Sequence, residues 1–315
     1  MSADRRRLRR RIRRRAQVIV LLLMSPWIVG FVLFLAYPMV ASLYFSFTHY
    51  NLLSPPVFVG LDNYRFMLSD PFFWLAIRNT LWMVLYALPA QIVFAIVIAS
   101  LVTRRRRGVR IYRTLYYMPT IAPAVAATLA FVFIFNPATG PVNHVLRLLH
   151  LPAPLWFYDP QWAKPGLMLL GLWGVGDAMI IFMAALLDVP QELYEVADLE
   201  GGSRWQKFRY VTLPMISPVI FFSIVVGLIY GFQYFTEAFV VSTSTTQVGS
   251  NSLGAPQGST MFYSVWLYQQ GFQLFHMGYA SAMAWVLLLI SLTCITILMR
   301  SSRRWVYYQG GLFGR

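Results

Sequence analysis

The polar and ionisable residues that could do chemistry collect in one island, residues 191–214, between two long apolar runs. Glu195, Asp198 and Leu199 are spaced i, i+3 and i+4, which predicts a short helix over 191–199. No catalytic or metal-ligand spacing accompanies these carboxylates, so their chemistry is that of charged contacts. From periodicity alone, the island is an amphipathic segment lying on a membrane surface.

The residues that follow this helix predict a turn and a second helix. Gly201 and Gly202 stop the first helix, because glycine accepts a positive φ without a Cβ clash. Ser203 can cap a second short helix over about 204–210. Pro214 is expected to end that helix and to open the next apolar run.

Asp177 is an acidic residue in the middle of an apolar run, where ionisable side chains are costly and often functional. Trp173 lies four residues earlier, which predicts that the two side chains share one helical face. The pair is therefore a candidate for the path of a transported substrate. The alternative that stays open is that Asp177 pairs with a donor on a neighbouring helix and faces no substrate.

A second polar group occupies a later apolar run, where Tyr230, Gln233, Tyr234 and Glu237 are spaced i, i+3, i+4 and i+7. This spacing predicts one polar and aromatic stripe along a helix. A sugar offers hydroxyl groups and apolar C–H faces, so aromatic rings with amide and carboxylate acceptors suit it. Helix packing with an anchor at the membrane interface would explain the same residues, and both interpretations stay open.

Other residues that bind metals or phosphates are dispersed. The four histidines are scattered, the single cysteine, Cys294, lies in an apolar run, and no Gly-x-x-x-x-Gly-Lys-Ser/Thr phosphate loop occurs. The sequence therefore predicts no metal site, no cofactor, no catalytic residue and no nucleotide site of that kind on this chain.

The elements that must position these side chains are membrane spans. Of the 315 residues, 58% are hydrophobic and only 12% are charged, and the mean hydropathy is +0.58. This composition is typical of an all-α integral membrane protein. Six stretches have the roughly 20 apolar residues that a crossing needs. They are 18–37, 80–102, 115–135, 166–187, 217–236 and 278–299.

The distribution of the 26 Lys and Arg residues predicts the orientation of these spans. With the N-terminus in the cytoplasm, the inner segments hold nine in 5–15, six in 104–113, three in 204–209 and four in 300–315, and four lie outside. Both termini and the 188–214 loop are then cytoplasmic. The net charge of +15 follows from arginines that anchor the topology and meet anionic lipid, so no nucleic-acid binding is predicted.

The same pattern divides the chain into three predicted parts. Residues 1–17 form a basic cytoplasmic tail, 18–300 a six-span domain that contains the 188–214 loop, and 301–315 a second cytoplasmic tail. A basic segment before an apolar run can also be a signal peptide. The apolar run after residue 17 is longer than is typical of one and is followed by no clear cleavage site, so we expect a retained first span.

The polar island resembles the "EAA" loop of permease subunits of binding-protein-dependent ABC importers. The resemblance is carried by Glu195, Ala197 and Gly201, followed at the expected distance by Leu213-Pro214. The surrounding sequence, LLDVPQELYEVADLEGGSRWQKFRYVTLPMISP, is similar to the maltose and glycerol-phosphate branch of sugar permeases. Three positions depart from the usual motif by small or charge-preserving changes: Val196, Glu200 and Gly202.

Three further segments resemble the same branch: Gly60–Tyr64 (GLDNY), the looser Gly-rich stretch Val248–Pro256, and Arg300–Tyr308 (RSSRRWVYY). The resemblance runs over most of the chain, and the loop is its most specific part. It implies the type I ABC importer transmembrane-domain fold, all-α with six transmembrane helices and a cytoplasmic coupling helix.

For the loop, the resemblance implies docking into a cleft of an ATPase subunit. Glu195 would face a basic group there, Ala197 would allow close approach, and Gly201 would permit the turn. Phe208 and Leu213 would pack the loop against the permease. The residues assigned to ATPase coupling are Glu195, Ala197, Asp198, Glu200, Gly201, Gly202, Phe208, Leu213 and Pro214.

The resemblance also implies partners and a location. The partners are a second homologous permease in a heterodimer, an ABC ATPase dimer, an extracytoplasmic solute-binding protein, a sugar and membrane lipid. The location is the cytoplasmic membrane of a bacterium or archaeon. The substrate class stays open between saccharides and polyol phosphates, and the lack of Lys or Arg inside the predicted spans argues against a phosphorylated ligand.

Two other classes of protein compete with this interpretation. A stand-alone secondary transporter of a small polar solute is disfavoured, because no inverted repeat is detectable and the loop would have no function. An integral-membrane enzyme is disfavoured, because no His/Asp/Glu cluster of catalytic or metal spacing lies near an interface.

Overall fold

The structure, a computed structural model, describes residues 3–103, 108–245 and 253–307, with side chains from residue 17 onward. Most of this part of the chain is helical. Parts of three predicted features lie outside the described residues: the arginines at 104–107, the start of 248–256 and the end of the C-terminal tail.

The α-helices are α1 (Ala3–Phe31), α2 (Tyr37–Ser46), α3 (Asp62–Ser69), α4 (Pro71–Trp82), α5 (Leu88–Thr103), α6 (Val109–Ile121), α7 (Ala124–Ile134), α8 (Pro141–Leu148), α9 (Pro160–Trp173), α10 (Gly176–Leu187), α11 (Gln191–Leu199), α12 (Arg204–Lys207), α13 (Leu213–Phe232), α14 (Thr236–Thr245), α15 (Tyr263–Tyr268) and α16 (Met277–Ser302). Short π turns at Val32–Ala36, Met83–Ala87, Phe208–Thr212 and Gln269–Gln273, and a 3-10 turn at Trp156–Tyr158, lie between or beside these helices.

The membrane spans agree with the prediction in number and order. By length and composition, four helical stretches in the described residues can cross a membrane, and two bent helix pairs raise the number to six. All six are longer than the predicted stretches at one end or both. They are Gln17–Ser46, Pro71–Thr103, Val109–Ile121 with Ala124–Ile134, Pro160–Trp173 with Gly176–Leu187, Arg204–Thr245 and Met277–Ser302.

Two of the predicted spans are sharply bent helix pairs, and the fifth has a short break between α13 and α14. The third is bent by 102° between α6 and α7, and the fourth by 51° between α9 and α10. The first bend follows from Pro123, because a residue before proline avoids the α conformation, and Ala122 is extended with φ −69° and ψ 134°. The second bend lies at Gly174-Val175, where glycine lowers the local helix propensity.

Three π turns share one cause. In each, the residue after the turn donates its N–H to the carbonyl five residues earlier, as Leu213 does to Phe208. A proline follows immediately, and its ring would clash with the carbonyl four residues before it in a regular helix, so the wider turn relieves the clash. These prolines are Pro38, Pro89 and Pro214.

Pro214 therefore does not end a helix, and that prediction was wrong. The helix that starts at Arg204 runs through the π turn into α13 and counts as one span of 42 residues to Thr245. Proline is compatible with this position because the π turn before it relieves the clash of its ring with the preceding turn.

The buried side chains form two cores, one at each end of the bundle. The loop-end core lies beside the 188–214 loop and joins α5, α10 and α13 through residues such as Ile96, Phe182 and Ile216. The distal core lies at the opposite end, where α4 and α9 begin, and includes Phe73 and Tyr263. The loop-end core supports the 188–214 loop, and the distal core supports the opposite end of the bundle.

A small hairpin covers part of the distal end. Strands β1 (Thr48–His49) and β2 (Val57–Phe58) pair antiparallel. The Asn63 amide donates to the carbonyls of Ser46 and Thr48, both at 2.9 Å. The segment Gly60–Tyr64, which carries part of the family resemblance, therefore ties the end of α2 to α3.

Candidate functional site

Helix α11 spans Gln191–Leu199, as the sequence predicts, and ends in a tight turn. Gly201 has φ +77°, and its N–H donates to the Asp198 carbonyl at 3.1 Å. Gly202 N–H reaches the Ala197 carbonyl at 2.8 Å. These two bonds form a Schellman ending, which needs a left-handed residue at Gly201. The predicted stop at the glycine pair is confirmed.

Gly202 is also required by its surroundings. A Cβ built at this position would lie 2.7 Å from the Ala197 carbonyl oxygen, closer than real Cβ contacts allow. Alanine, which is usual here in the motif that the loop resembles, would therefore force the turn to shift. Ala197 itself is half-buried beneath the turn.

The second helix of the loop starts with a capping box. Ser203 accepts a hydrogen bond from the Gln206 N–H at 3.3 Å, and Gln206 Oε1 accepts one from the Ser203 N–H at 2.7 Å. The predicted cap is therefore present. An ion pair of 2.6 Å between Lys207 Nζ and Asp198 Oδ1 joins this helix to α11. Asp198, predicted as a coupling residue, is thus engaged within the loop itself.

The loop is attached to the bundle by side chains on its inner face. Phe208 packs against the loop-end core, and Leu213 and Pro214 are half-buried where the chain enters α13. The Tyr194 hydroxyl lies 2.9 Å from Thr212 Oγ1, and Tyr194 also packs on the core. The role of Tyr194 was not predicted from the sequence. Tyr194 comes one residue before Glu195, so the two side chains lie on different faces of α11.

The outer face of the loop exposes carboxylates and apolar side chains together. Glu195 and Glu200 are exposed, and no described residue forms an ion pair with either. Exposed apolar residues surround them: Leu193, Val196, Leu199 (89% exposed) and Trp205 (69%). We call Glu195 and these four apolar residues the loop surface. A contiguous apolar surface that contains an unpaired acidic group is typical of a protein interface.

A cavity of about 550 Å³ lies between the two cores. Five of the six predicted substrate-path residues line it: Trp173, Tyr230, Gln233, Tyr234 and Glu237. The predicted stripe is nevertheless interrupted, because α13 ends at Phe232 and α14 begins at Thr236. Non-helical backbone at this depth is tolerated where it lines a cavity, and that is where these residues lie.

Asp177, the sixth predicted residue, does not line this cavity. It is exposed in the first turn of α10, whereas Trp173 is the last residue of α9. The bend between the two helices places the residues on separate elements, so the prediction of one shared face was wrong. A carboxylate in a first helical turn is stabilised by the helix dipole, which explains Asp177 without a ligand.

Sequence reasoning missed several residues that shape the cavity. Gly171, Gly227 and Gly231 line it, and a Cβ at Gly171 or Gly227 would collide with Gln91 or Leu88. The spacing Gly227-x-x-x-Gly231 was visible in the sequence as a small-residue helix face. Thr120 also lines the cavity, and its hydroxyl is buried with no hydrogen-bond partner in the described part of the chain.

Two cationic residues outside the predicted stretches lie on helices that contain spans. Because α4 begins at Pro71 and α9 at Pro160, Arg78 and Lys164 belong to the helices of the second and fourth spans. The 20-residue estimate from the sequence placed both outside, since polar residues at a helix end lower the local hydropathy.

This chain has membrane-crossing helices, a cavity among them and an internally braced, exposed loop at one end. These features define a membrane transport subunit. The comparisons with known proteins agree. The chain belongs to the family of binding-protein-dependent transport system inner membrane components, whose model matches residues 91–306. The resemblance seen in the loop is confirmed, and the chain is a permease subunit of an ABC importer rather than a stand-alone transporter.

Curated relatives match along nearly the whole chain. The probable ABC transporter permease protein YesP of Bacillus subtilis is 38% identical over 90% of each chain. The arabinooligosaccharides transport system permease protein AraP of Halalkalibacterium halodurans is 33% identical over 87% of this chain and 84% of its own length. The sulfoquinovosyl glycerol transport system permease protein SmoG of Agrobacterium fabrum is 29% identical over 91% of each.

A solved structure matches the fold. A chain from the crystal structure of a bacterial ABC transporter that imports the acidic polysaccharide alginate superposes with a TM-score of 0.77 and 25% identity. The match covers 95% of this chain and 99% of that one. The fold is therefore the all-helical, membrane-embedded fold of a type I ABC importer permease.

Proposed function

We propose that this chain forms half of the translocation pathway of an ATP-driven carbohydrate importer, and that the 188–214 loop couples it to an ATPase subunit. The observation that carries the proposal is the span Arg204–Thr245, in which the helix runs without a break from Arg204 to Phe232. It begins beside the exposed loop surface and, further along, contributes Tyr230 and Glu237 to the central cavity. A displacement at the loop therefore reaches the cavity through one element.

A carbohydrate substrate is supported by the named relatives and by the cavity. The relatives' names specify arabinooligosaccharides and sulfoquinovosyl glycerol, and the structural match imports alginate. Trp173 and Tyr230, both exposed to the cavity, offer ring faces, while Gln233 and Glu237 offer hydrogen-bonding groups. This combination suits a saccharide, which has apolar C–H faces and hydroxyl groups.

The proposed assembly contains partners on both sides of the membrane. They are a second homologous permease that completes the pathway, an ATPase dimer below the loop, and a solute-binding protein at the distal end. The related alginate transporter was crystallised with a pentasaccharide-bound periplasmic protein. The Lys and Arg distribution supports a cytoplasmic loop and cytoplasmic termini in a bacterial or archaeal membrane, with tails at 1–17 and 301–315.

Within the loop, we assign distinct roles. Glu195 pairs with a basic group of the ATPase, and the apolar residues around it enter the same cleft. Asp198, Gly201 and Gly202 hold the loop in its docking conformation, and Phe208 fixes it to the bundle. A hydrogen bond between charged groups at such an interface contributes about 1.5–3 kcal/mol.

The test uses the complete importer, reconstituted in proteoliposomes with its partner permease, ATPase and binding protein. Glu195→Ala is expected to lower ATP-driven saccharide uptake at least 10-fold while leaving assembly of the membrane subunits intact. Glu192→Ala is the matched control, because Glu192 is exposed one turn earlier on the same helix. Equal uptake by Glu195→Ala and the control would refute the coupling role of the loop.

A further inference from the structure

Two cationic side chains lie at the distal end of the bundle without a counter-charge. Lys164 is on α9 and is half-buried, and Arg78 is on α4 and is exposed. Among the described residues, no carboxylate lies within ion-pair distance of either. A half-buried cation has lost part of its hydration, so one without a counter-charge is a candidate for binding an anion.

The position of Lys164 is fixed by a buried amide. Its ammonium donates to Asn79 Oδ1 at 3.0 Å, and Asn79 is only 1% exposed. The Asn79 nitrogen is itself held, because it donates to the carbonyls of Gly258 at 2.8 Å and Met261 at 2.9 Å. The neutral amide orients the ammonium without cancelling its charge, and two ammonium hydrogens stay available.

An aromatic surface lies next to this cation. Lys164 Nζ is 5.8 Å from the centroid of the Trp82 ring. The Trp82 and Tyr86 rings are 5.5 Å apart, and Tyr86 is 61% exposed. A uronic acid unit presents a carboxylate beside an apolar C–H face, and this site offers a cation beside ring faces.

The site also lies on the way to the central cavity. Asn79 is four residues before Met83 on α4, and Lys164 is seven residues before Gly171 on α9. Met83 and Gly171 both line the cavity, so the cation is about 6–10 Å outward along the two helices. Lys164 does not itself line the cavity and lies one to two helical turns beyond this lining, on the side away from the loop.

We infer that Lys164, held by Asn79, binds the carboxylate of an acidic saccharide that enters the central cavity. This inference rests on the proposed function and specifies its substrate class. The orientation of Lys164 favours a ligand over a lipid headgroup, because its ammonium points to Asn79 and Trp82 within the bundle. A lysine that only reached for the membrane surface would extend away from these groups.

The test measures uptake by the complete importer in proteoliposomes. The probes are trigalacturonate, its methyl ester, a neutral galactotriose and glycerol 3-phosphate. For Lys164→Gln we expect a KM for trigalacturonate at least 10-fold higher, with kcat little changed, and no change for a neutral probe. Lys164→Arg should restore most of the affinity. Arg65→Gln, which removes an exposed distal-end cation already paired with Asp62, is the control.

The outcomes separate the inference from the proposed function. Import of the neutral probes or of glycerol 3-phosphate, but not of trigalacturonate, overturns the inference and leaves the importer in place. Uptake that needs neither ATP nor the binding protein contradicts the proposed function. If Lys164→Gln weakens only docking of the binding protein, or only the response to anionic lipid, the cation serves a protein or lipid and the inference fails. Lys164→Met repeats the test if Lys164→Gln does not assemble, and an unchanged KM there also overturns it.

Discussion

The two ends of the bundle are held together in different ways. The 188–214 loop is braced internally by hydrogen bonds and an ion pair between residues 3 to 18 positions apart, such as Asp198–Lys207 and Tyr194–Thr212. The distal end is tied by side chains whose partners are 179 to 209 positions away, as in the contacts of Asn79 with Met261 and of Asp70 with Tyr279. The loop is therefore a local unit, whereas the contacts at the distal end join the second span to the last part of the chain.

This difference matches the work proposed for each end. A loop that is internally braced can move as a unit when a partner pushes it, because its own contacts are not broken by the movement. A distal end in which buried polar groups join separate spans resists separation, since each broken bond leaves a buried group unsatisfied. The predictions below test this contrast, from the largest expected effect to the smallest.

The strongest test breaks the distal tie at Asn79. In Asn79→Leu, the carbonyls of Gly258 and Met261 lose their donor and Lys164 loses its acceptor. We expect the free energy of unfolding in detergent to fall by about 3 kcal/mol or more. Thermal unfolding of the purified protein measures this. Asn51→Leu is the control, because Asn51 caps only an exposed turn, and an equal loss there would contradict the tie.

The second test concerns the buried carboxylate of Asp70, which is 6% exposed. Its Oδ2 accepts hydrogen bonds from Trp266 Nε1 at 2.9 Å and from the Tyr279 hydroxyl at 2.8 Å, and its Oδ1 caps α4. Asp70→Asn replaces one acceptor oxygen with a donor, so we expect a loss of about 2 kcal/mol. A double-mutant cycle with Tyr279→Phe should show coupling, and strict additivity would show that the two residues act independently.

The third test introduces backbone strain into the turn that ends α11. Gly201→Ala puts a Cβ on a residue with φ +77°, which we expect to cost about 1 kcal/mol locally. The global unfolding midpoint should change little, whereas ATP-driven uptake should fall because the loop surface is displaced. Proteolysis of the loop and uptake, measured on one preparation, check both parts. A large fall in global stability would mean that the loop is not a separate unit.

The smallest effect is expected for the ion pair between Asp198 and Lys207. The Asp198 side chain is 61% exposed, so solvent screens the attraction and Asp198→Asn should cost about 0.2–1 kcal/mol. The loss should disappear at high salt. Comparison of loop proteolysis rates for wild type and variant at low and high ionic strength measures it. A larger loss that persists at high salt would show that the pair is more than a surface brace.

The same contrast explains what the sequence could predict. Helix α11, the stop at Gly201 and the cap at Ser203 depend on neighbours within a few residues, so local rules placed them correctly. The six spans follow from their apolar length. The roles of Asn79 and Lys164 depend on partners far along the chain, and no local rule brings them together. The bend that separates Trp173 from Asp177 and the continuation through Pro214 arise from backbone geometry that a hydropathy window does not detect.

The uninterrupted helical path from Trp205 to Tyr230 fixes the rotation of the cavity residue Tyr230 about the helix axis relative to Trp205 of the loop surface. These residues are 25 positions apart, which is about 37 Å along a helix. Each added or removed residue between them would rotate one relative to the other by about 100°. The number of residues in this segment, more than the identity of its side chains, therefore sets the orientation of Tyr230 relative to the loop surface. The segment should tolerate substitutions far better than the insertion or deletion of one residue.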